Sequence, residues 1–159
     1  MNITIYCVGS LKERYWKEAA GEYAKRLSSY VKLNIVECPD YPCPEGASEA
    51  MMESVKKKEG ERILAYLKKG EYLIALELSG KQYDSIAFAK HIDASLSFHG
   101  ASISFVIGGS LGIGKDLLSR CDEKICLGLN TYPHQLIRVM LLEALYRSFR
   151  ILRHEPYHK

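Results

Sequence analysis

The sequence predicts an α/β fold in which a parallel sheet is covered by helices. Short apolar segments with strand character alternate along the chain with segments of helical periodicity. Strands that are buried on both faces of a parallel sheet have this nearly continuous apolar character. With 159 residues, 47% of them hydrophobic, the chain is long enough to bury a complete core, so we expect one domain spanning residues 1–159.

The first half of the chain predicts two strands and two helices. In order, we predict a strand at 3–8, a helix at 12–29, a strand at 31–38, a loop at 39–46 and a helix from 48 to about 67. The loop contains three prolines, which prevent regular structure. Ser48 is expected to cap the long, highly charged helix that follows.

The second half continues the same alternation. In order, we predict a strand at 72–78, a turn at 79–81, a helix at 85–98, a strand at 102–107, a short helix at 115–120, a strand at 124–129 and a helix at 135–152. Pro133 stands where this last helix can begin. Ligands of such sheets bind beyond the carboxyl ends of the strands, which indicates residues 76–80, 108–114 and 129–133 as candidate binding segments.

The glycine-rich segment 108–115 follows a strand and precedes a helix, where a backbone loop can cradle a nucleotide-like ligand. Its glycine spacing does not fit the dinucleotide fingerprint. Residues 109–115 match the phosphate-loop pattern, but Asp116 follows where Ser or Thr would hold magnesium. A P-loop-like nucleotide hydrolase is one alternative interpretation of this segment. A tight structural turn without any ligand is a further one.

Several classes of protein are disfavoured by composition. No apolar run approaches the roughly 20 residues of a transmembrane helix. The N-terminus has the pattern of a strand and not of a signal peptide, so we expect a cytoplasmic protein with no membrane partner. Its five cysteines are odd in number and lack zinc-site spacing with a nearby histidine, which favours reduced thiols and no metal.

The excess positive charge lies at the C-terminal end. Residues 134–159 hold five Arg and Lys against two acids, whereas residues 1–133 hold seventeen of each sign. A solvated helix face with Glu143 paired to Arg147 is one explanation. A surface that binds nucleic acid is the other.

One combination of motifs resembles a known family. It comprises Phe-Val-Ile-Gly-Gly at 105–109 with Gly112, Thr-Tyr-Pro-His-Gln-Leu at 131–136 with Arg138, Glu143 with Leu-Tyr-Arg at 145–147, and Pro-Tyr-His-Lys at 156–159. In these motifs the chain resembles the ribosomal RNA large subunit methyltransferase H family of the SPOUT class. The resemblance extends over essentially the whole chain.

The resemblance implies a SPOUT fold whose C-terminal segment threads through a loop to form a trefoil knot that binds S-adenosylmethionine. It implies methylation of N3 of a pseudouridine in helix 69 of 23S rRNA, with the assembled ribosome as substrate. It also implies a homodimer that shares the RNA site between its subunits. A non-catalytic ribosome-binding module that uses the basic C-terminus is the alternative to this enzyme.

Carried onto this sequence, the family's S-adenosylmethionine contacts follow three strands. They fall at Leu76, Gly108, Leu127, Gly128, Leu129, Asn130, Thr131 and Tyr132.

The acceptor N3–H is weakly acidic, so the site must remove its proton or stabilise the resulting anion. Arg138 and His154 are the catalytic candidates for this task.

Basic and aromatic groups of the C-terminus are candidates for contacting RNA. They are Arg147, Arg153, Tyr157, His158 and Lys159.

His134 stands at a helix start after Pro133, and we expect it to cap that helix. Methyl transfer from a sulfonium requires no metal.

Overall fold

The computed structural model describes all residues, 1–159, as five strands and five helices that alternate along the chain. The strands are β1 (Asn2–Val8), β2 (Lys32–Cys38), β3 (Leu73–Lys81), β4 (Ser102–Ile107) and β5 (Glu123–Ile125). The helices are α1 (Arg14–Leu27), α2 (Glu49–Tyr66), α3 (Ser85–Phe98), α4 (Lys115–Arg120) and α5 (His134–Leu152). All strand pairs are parallel, in the order β2-β1-β4-β3-β5, which confirms the predicted fold class.

The two faces of the sheet contribute to two separate cores. Ile3 and Ile5 of β1 face the larger core, together with buried residues of α1, α3 and α5. Tyr6 and Val8 of the same strand face the smaller core, which α2 and α4 complete. This alternation follows from the two-residue period of a strand. Helices therefore cover both faces, as a parallel sheet requires.

The predicted start of α2 is confirmed. The Ser48 side chain accepts a hydrogen bond from the Met51 N–H at 3.2 Å, which satisfies a donor that has no partner within the helix. The capping role predicted for His134 is wrong. Pro133 occupies the cap position of α5, His134 is the first helical residue, and no side chain caps this helix.

The predicted turn at 79–81 is also wrong, because β3 continues through it. After a shift in register, Lys81 pairs with Ile125, and the Cys126 N–H donates to the Lys81 carbonyl at 3.0 Å. Gly80 permits this close approach, since a Cβ at that position would lie 2.6 Å from the Ile125 nitrogen. The strand predicted at 124–129 ends early, at Ile125, where the chain leaves the sheet.

No helix in the fold combines the length and the apolar character needed to cross a bilayer. The trefoil knot implied by the family resemblance stays a prediction, because the order of strands does not specify how the chain threads.

Candidate functional site

A cavity of about 800 Å³ lies where β4, β3 and β5 meet the loops that follow them. Its walls are Leu76–Leu78, the loop after β4 and the segment that joins β5 to α5. The lining residues are 76–78, 107–113, 125–128, 130–135 and 137. Ligands of open parallel sheets bind at this edge, and the volume is that of a small-molecule site.

Seven of the eight residues predicted to bind the donor line this cavity. They are Leu76, Gly108, Leu127, Gly128, Asn130, Thr131 and Tyr132. The eighth, Leu129, does not line it and is 75% exposed. The structure thus brings the three predicted strand ends together, while the contacts of these residues with a donor stay a prediction.

Glycine residues give the cavity its shape. A Cβ at Gly108 would lie 2.6 Å from the carbonyl carbon of Gly112, and a Cβ at Gly128 would lie 3.2 Å from the Tyr132 ring. Gly112 has a φ of 91°, and its N–H donates to the Gly109 carbonyl at 3.1 Å. The loop therefore needs glycine for close main-chain packing and for left-handed backbone.

The cavity holds one carboxylate and no Lys or Arg side chain. Hydrogen bonds from Ser79 hold the pKa of the Glu77 carboxyl below its usual value, so this group is ionised at pH 7. Burial and the nearby Arg138 guanidinium lower the pKa of His134, so its imidazole is neutral. Glu77 is therefore the one charged side chain among the lining residues, and its carboxylate favours a cationic ligand such as a sulfonium.

The lysine of the phosphate-loop pattern is not at this cavity. Lys115 is exposed at the start of α4, and neither it nor Asp116 lines the cavity wall. In a phosphate loop this lysine reaches the β- and γ-phosphates. The geometry therefore gives no support to a nucleotide hydrolase.

Glu59, which sequence reasoning missed, lies behind the glycine loop. It is 5% exposed, and its Oε1 accepts a hydrogen bond from the Tyr41 N–H at 3.1 Å. Its Oε2 has no partner and would lie 3.1 Å from a Cβ at Gly109. Burial raises the pKa of this carboxyl.

The raised pKa of Glu59 predicts a pH-dependent stability. The protonated form of Glu59 is favoured in the folded protein. Its contribution to the free energy of unfolding is therefore complete below the pKa of an unfolded glutamate, about 4.3, and is lost as pH rises through the higher folded-state pKa. We therefore expect Glu59→Gln to gain stability relative to the unsubstituted protein as pH rises from acidic to neutral. Urea denaturation at a series of pH values measures this difference. Glu45→Gln, at an exposed loop position, is the control, and a pH-independent difference for Glu59→Gln would contradict the prediction.

Arg138 is buried beside the cavity and does not line it. Its Nη1 donates to Glu37 Oε1 at 2.8 Å, its Nη2 donates to the Gly9 carbonyl at 2.9 Å, and its Nε is buried without a partner. These bonds tie the second turn of α5 to the ends of β1 and β2. The catalytic role of Arg138 stays a prediction, and its contacts favour a positioning role.

The other predicted catalytic and RNA-contacting residues lie outside the cavity of their own chain. They are Arg147, Arg153, His154, Tyr157, His158 and Lys159. His154 is exposed, with a φ of 54°, just after α5. Residues 153–159, hereafter the C-terminal tail, therefore do not reach this chain's own cavity.

The C-terminal tail packs on the side of α5. The Tyr157 hydroxyl donates to Glu143 Oε1 at 3.0 Å, and the Arg147 guanidinium carbon lies 4.7 Å from the centre of the Tyr157 ring. Arg147 also forms the ion pair with Glu143 that the i,i+4 spacing predicted, and its Nη1 lies 3.4 Å from His158 Nδ1. The ion pair is thus part of the surface that holds the tail.

Comparison with known proteins agrees with the fold and with the motifs. The family model described as "Predicted SPOUT methyltransferase" matches residues 1–158. The ribosomal RNA large subunit methyltransferase H of Clostridium acetobutylicum is 52% identical over 160 residues, covering all of both chains. The ribosomal RNA large subunit methyltransferase H 1 of Clostridium perfringens is 49% identical over 159 residues, again covering both chains.

A solved structure supports the fold alone. It is that of a probable methylase family protein from Haemophilus influenzae, which matches with a TM-score of 0.52 at 12% identity, over 99% of this chain and 70% of that one. The family is shown by the family model, which matches residues 1–158, and by the identity to full-length relatives. The chain belongs to the SPOUT methyltransferases and, among them, to the ribosomal RNA large subunit methyltransferase H family.

Proposed function

We propose that this chain transfers a methyl group from S-adenosylmethionine to N3 of a pseudouridine in helix 69 of 23S rRNA. The substrate is the assembled ribosome in the cytoplasm. The observation that supports this most is the cavity at the three strand ends, whose lining includes the Glu77 carboxylate and no Lys or Arg, where the family resemblance puts the donor. Relatives named ribosomal RNA large subunit methyltransferase H share about half of the sequence.

The cavity fits the proposed donor. When bound, S-adenosylmethionine supplies a methyl group on a sulfonium, and it carries no phosphate. The side chains of Leu76, Ile113 and Ile137 offer apolar walls for a flat base, and the glycines expose main-chain groups for hydrogen bonds. The ionised Glu77 carboxylate is the one acidic side chain that favours the positive charge. The knot expected for the family would enclose this donor.

On the acceptor side, the chain must align the base with the methyl group, and the proton on N3 must be removed. Alignment alone supplies much of the rate of an in-line displacement. We propose His154 as the group that accepts the N3 proton. For Arg138 we propose that it acts chiefly by fixing α5 against β1 and β2, directly after the donor-binding segment.

The position of the C-terminal tail supports a homodimer. The tail carries basic and aromatic side chains suited to RNA, but none of them lines its own cavity. A second copy of the chain would supply its tail to this cavity, so that each RNA site combines the donor of one subunit with the tail of the other. Arg147, Arg153, Tyr157, His158 and Lys159 are the proposed RNA contacts.

The proposal is tested in cells. Ribosomal RNA from a strain that lacks this gene and from a complemented strain is digested and compared by mass spectrometry. We expect the helix 69 fragment to lose one methyl group in the deletion strain and to regain it on complementation. An unchanged fragment would exclude this substrate. If the protein nevertheless binds ribosomes, the non-catalytic binding module becomes the better account.

A further inference from the structure

The chain that follows α5 forms a defined turn. His154 has left-handed backbone, with a φ of 54°, and its N–H donates to the Ile151 carbonyl at 3.0 Å. The next N–H, that of Glu155, donates to the Arg150 carbonyl at 2.9 Å. These bonds reverse the chain, so that the C-terminal tail runs back along α5 and brings Tyr157 to Glu143. A frayed terminus would lack them.

The Arg150 guanidinium holds this turn from inside. Its Nη1 donates to Glu155 Oε2 at 2.6 Å and to the Tyr30 hydroxyl oxygen at 3.1 Å. Its Nη2 donates to the Pro156 carbonyl at 2.7 Å. The Tyr30 hydroxyl in turn donates to Glu155. Three groups thus converge on one cation: two belong to the tail itself, and Tyr30 is 120 residues away in sequence.

Tyr30 connects the tail to another part of the fold. It lies between α1 and β2, and its ring stacks on that of Phe149 with centroids 5.6 Å apart and planes 15° from parallel. The guanidinium carbon of Arg153 lies 4.9 Å from the centre of the Tyr30 ring. The stack fixes the Tyr30 hydroxyl, and the hydroxyl fixes Glu155.

We propose that Arg150 and Tyr30 form a clamp that positions the C-terminal tail for RNA. They are positioning residues, because they act through Glu155 and Pro156 and do not themselves contact the reacting atoms. The proposal rests on the proposed function, in which Tyr157, His158 and Lys159 meet the RNA. With the clamp intact, these side chains start from one fixed geometry. Without it, they would have to be ordered at each encounter with the ribosome.

An ordinary surface ion pair would not have this effect. Arg14 and Glu18 on α1 form such a pair, with a 2.6 Å bond between side chains that are 91% and 62% exposed. Arg150 differs because its side chain is 23% exposed and one of its bonds holds a main-chain carbonyl of the tail. Arg14→Gln is therefore the matched control for Arg150→Gln.

The experiment compares Arg150→Gln, Tyr30→Phe, Arg150→Lys and the Arg14→Gln control. It measures methyl transfer to ribosomes, donor affinity by calorimetry, and the rate at which carboxypeptidase releases the last residues. We expect Arg150→Gln to lower kcat/KM for ribosomes about tenfold to a hundredfold with unchanged donor affinity, since a small misplacement has effects of this size. Arg150→Lys should recover part of the loss. Tyr30→Phe, which keeps the stack and loses one hydroxyl, should show a smaller loss.

The digestion rate separates this proposal from the proposed function. Arg150→Gln and Tyr30→Phe should release the tail residues faster than the unsubstituted protein, and Arg14→Gln should not. If the intact protein transfers no methyl group, the proposed function is wrong, and the digestion rates still test the clamp. Normal transfer and normal digestion in both clamp variants would overturn the clamp. A parallel loss of donor binding would also overturn it, because the two residues would then support the fold as a whole.

Discussion

Gly108→Ala is expected to weaken the binding of S-adenosylmethionine about tenfold or more and to lower the free energy of unfolding by about 1–3 kcal/mol. The new Cβ would lie 2.6 Å from the carbonyl carbon of Gly112 and 2.8 Å from its oxygen. Both are main-chain atoms, so no side-chain rotation can relieve the overlap. The loop after β4 must therefore move, and this loop forms one wall of the cavity.

Titration calorimetry and urea denaturation measure these two effects. Gly21→Ala is the matched control, because Gly21 is exposed in the middle of α1 and a Cβ there meets nothing within 4 Å. That substitution should leave donor affinity unchanged and raise stability slightly, since alanine is the better helix former. An unchanged donor dissociation constant in Gly108→Ala would show that the donor binds elsewhere.

Arg138→Met is expected to lower the free energy of unfolding by about 3 kcal/mol. The substitution keeps an apolar stem of similar length but leaves the Gly9 carbonyl and the Glu37 carboxylate without their donor. Glu37 is 42% exposed and regains water, which places the effect at the lower end of the range for a broken buried pair. Arg138→Lys keeps the charge and should lose less.

Stability and turnover together separate the two roles of Arg138. A positioning role predicts that Arg138→Met clearly lowers the free energy of unfolding. It also predicts that Arg138→Lys, measured at a temperature where this variant is folded, keeps much of the kcat of the unsubstituted protein. Arg14→Gln, which breaks an exposed ion pair, should change neither quantity. Full stability of Arg138→Met combined with a large loss of kcat would instead assign Arg138 to the catalytic group predicted from the sequence.

Much of the fold was predictable because local signals and tertiary structure agree. The alternating strand at the N-terminus and the Ser48 cap needed no knowledge of distant residues. The three candidate binding segments followed from one rule on parallel sheets, and the structure brings parts of all three to one cavity. The family motifs then indicated which ligand to expect there.

The errors lie where one part of the chain depends on a distant one. Gly80 signals a turn by its residue type, but it serves the close approach of β3 to β5, more than forty residues later. The apolar segment 127–129 has the pattern of a strand, but the chain has already left the sheet at Ile125. Leu127 and Gly128 line the cavity, and Leu129 is exposed. A local pattern cannot distinguish these cases.

Side-chain partners across long separations were equally hidden. Arg138 bonds with groups 101 and 129 residues away, so its burial had no local signal. The clamp on the C-terminal tail joins Tyr30 to Glu155, 125 residues apart. His134 could have been assigned to the cavity wall, because it directly follows the candidate binding segment 129–133.

The most direct test of the account is methyl transfer in a purified system. The protein is incubated with S-adenosylmethionine labelled in its methyl group and with ribosomes from a strain that lacks the gene, and the label is located by mass spectrometry of 23S rRNA fragments. The proposed function predicts label on N3 of a pseudouridine in helix 69, and an initial labelling rate about tenfold lower for Gly108→Ala when the donor concentration lies below the dissociation constant of the unsubstituted protein. Label at another nucleotide, or no label despite intact donor binding, would contradict it.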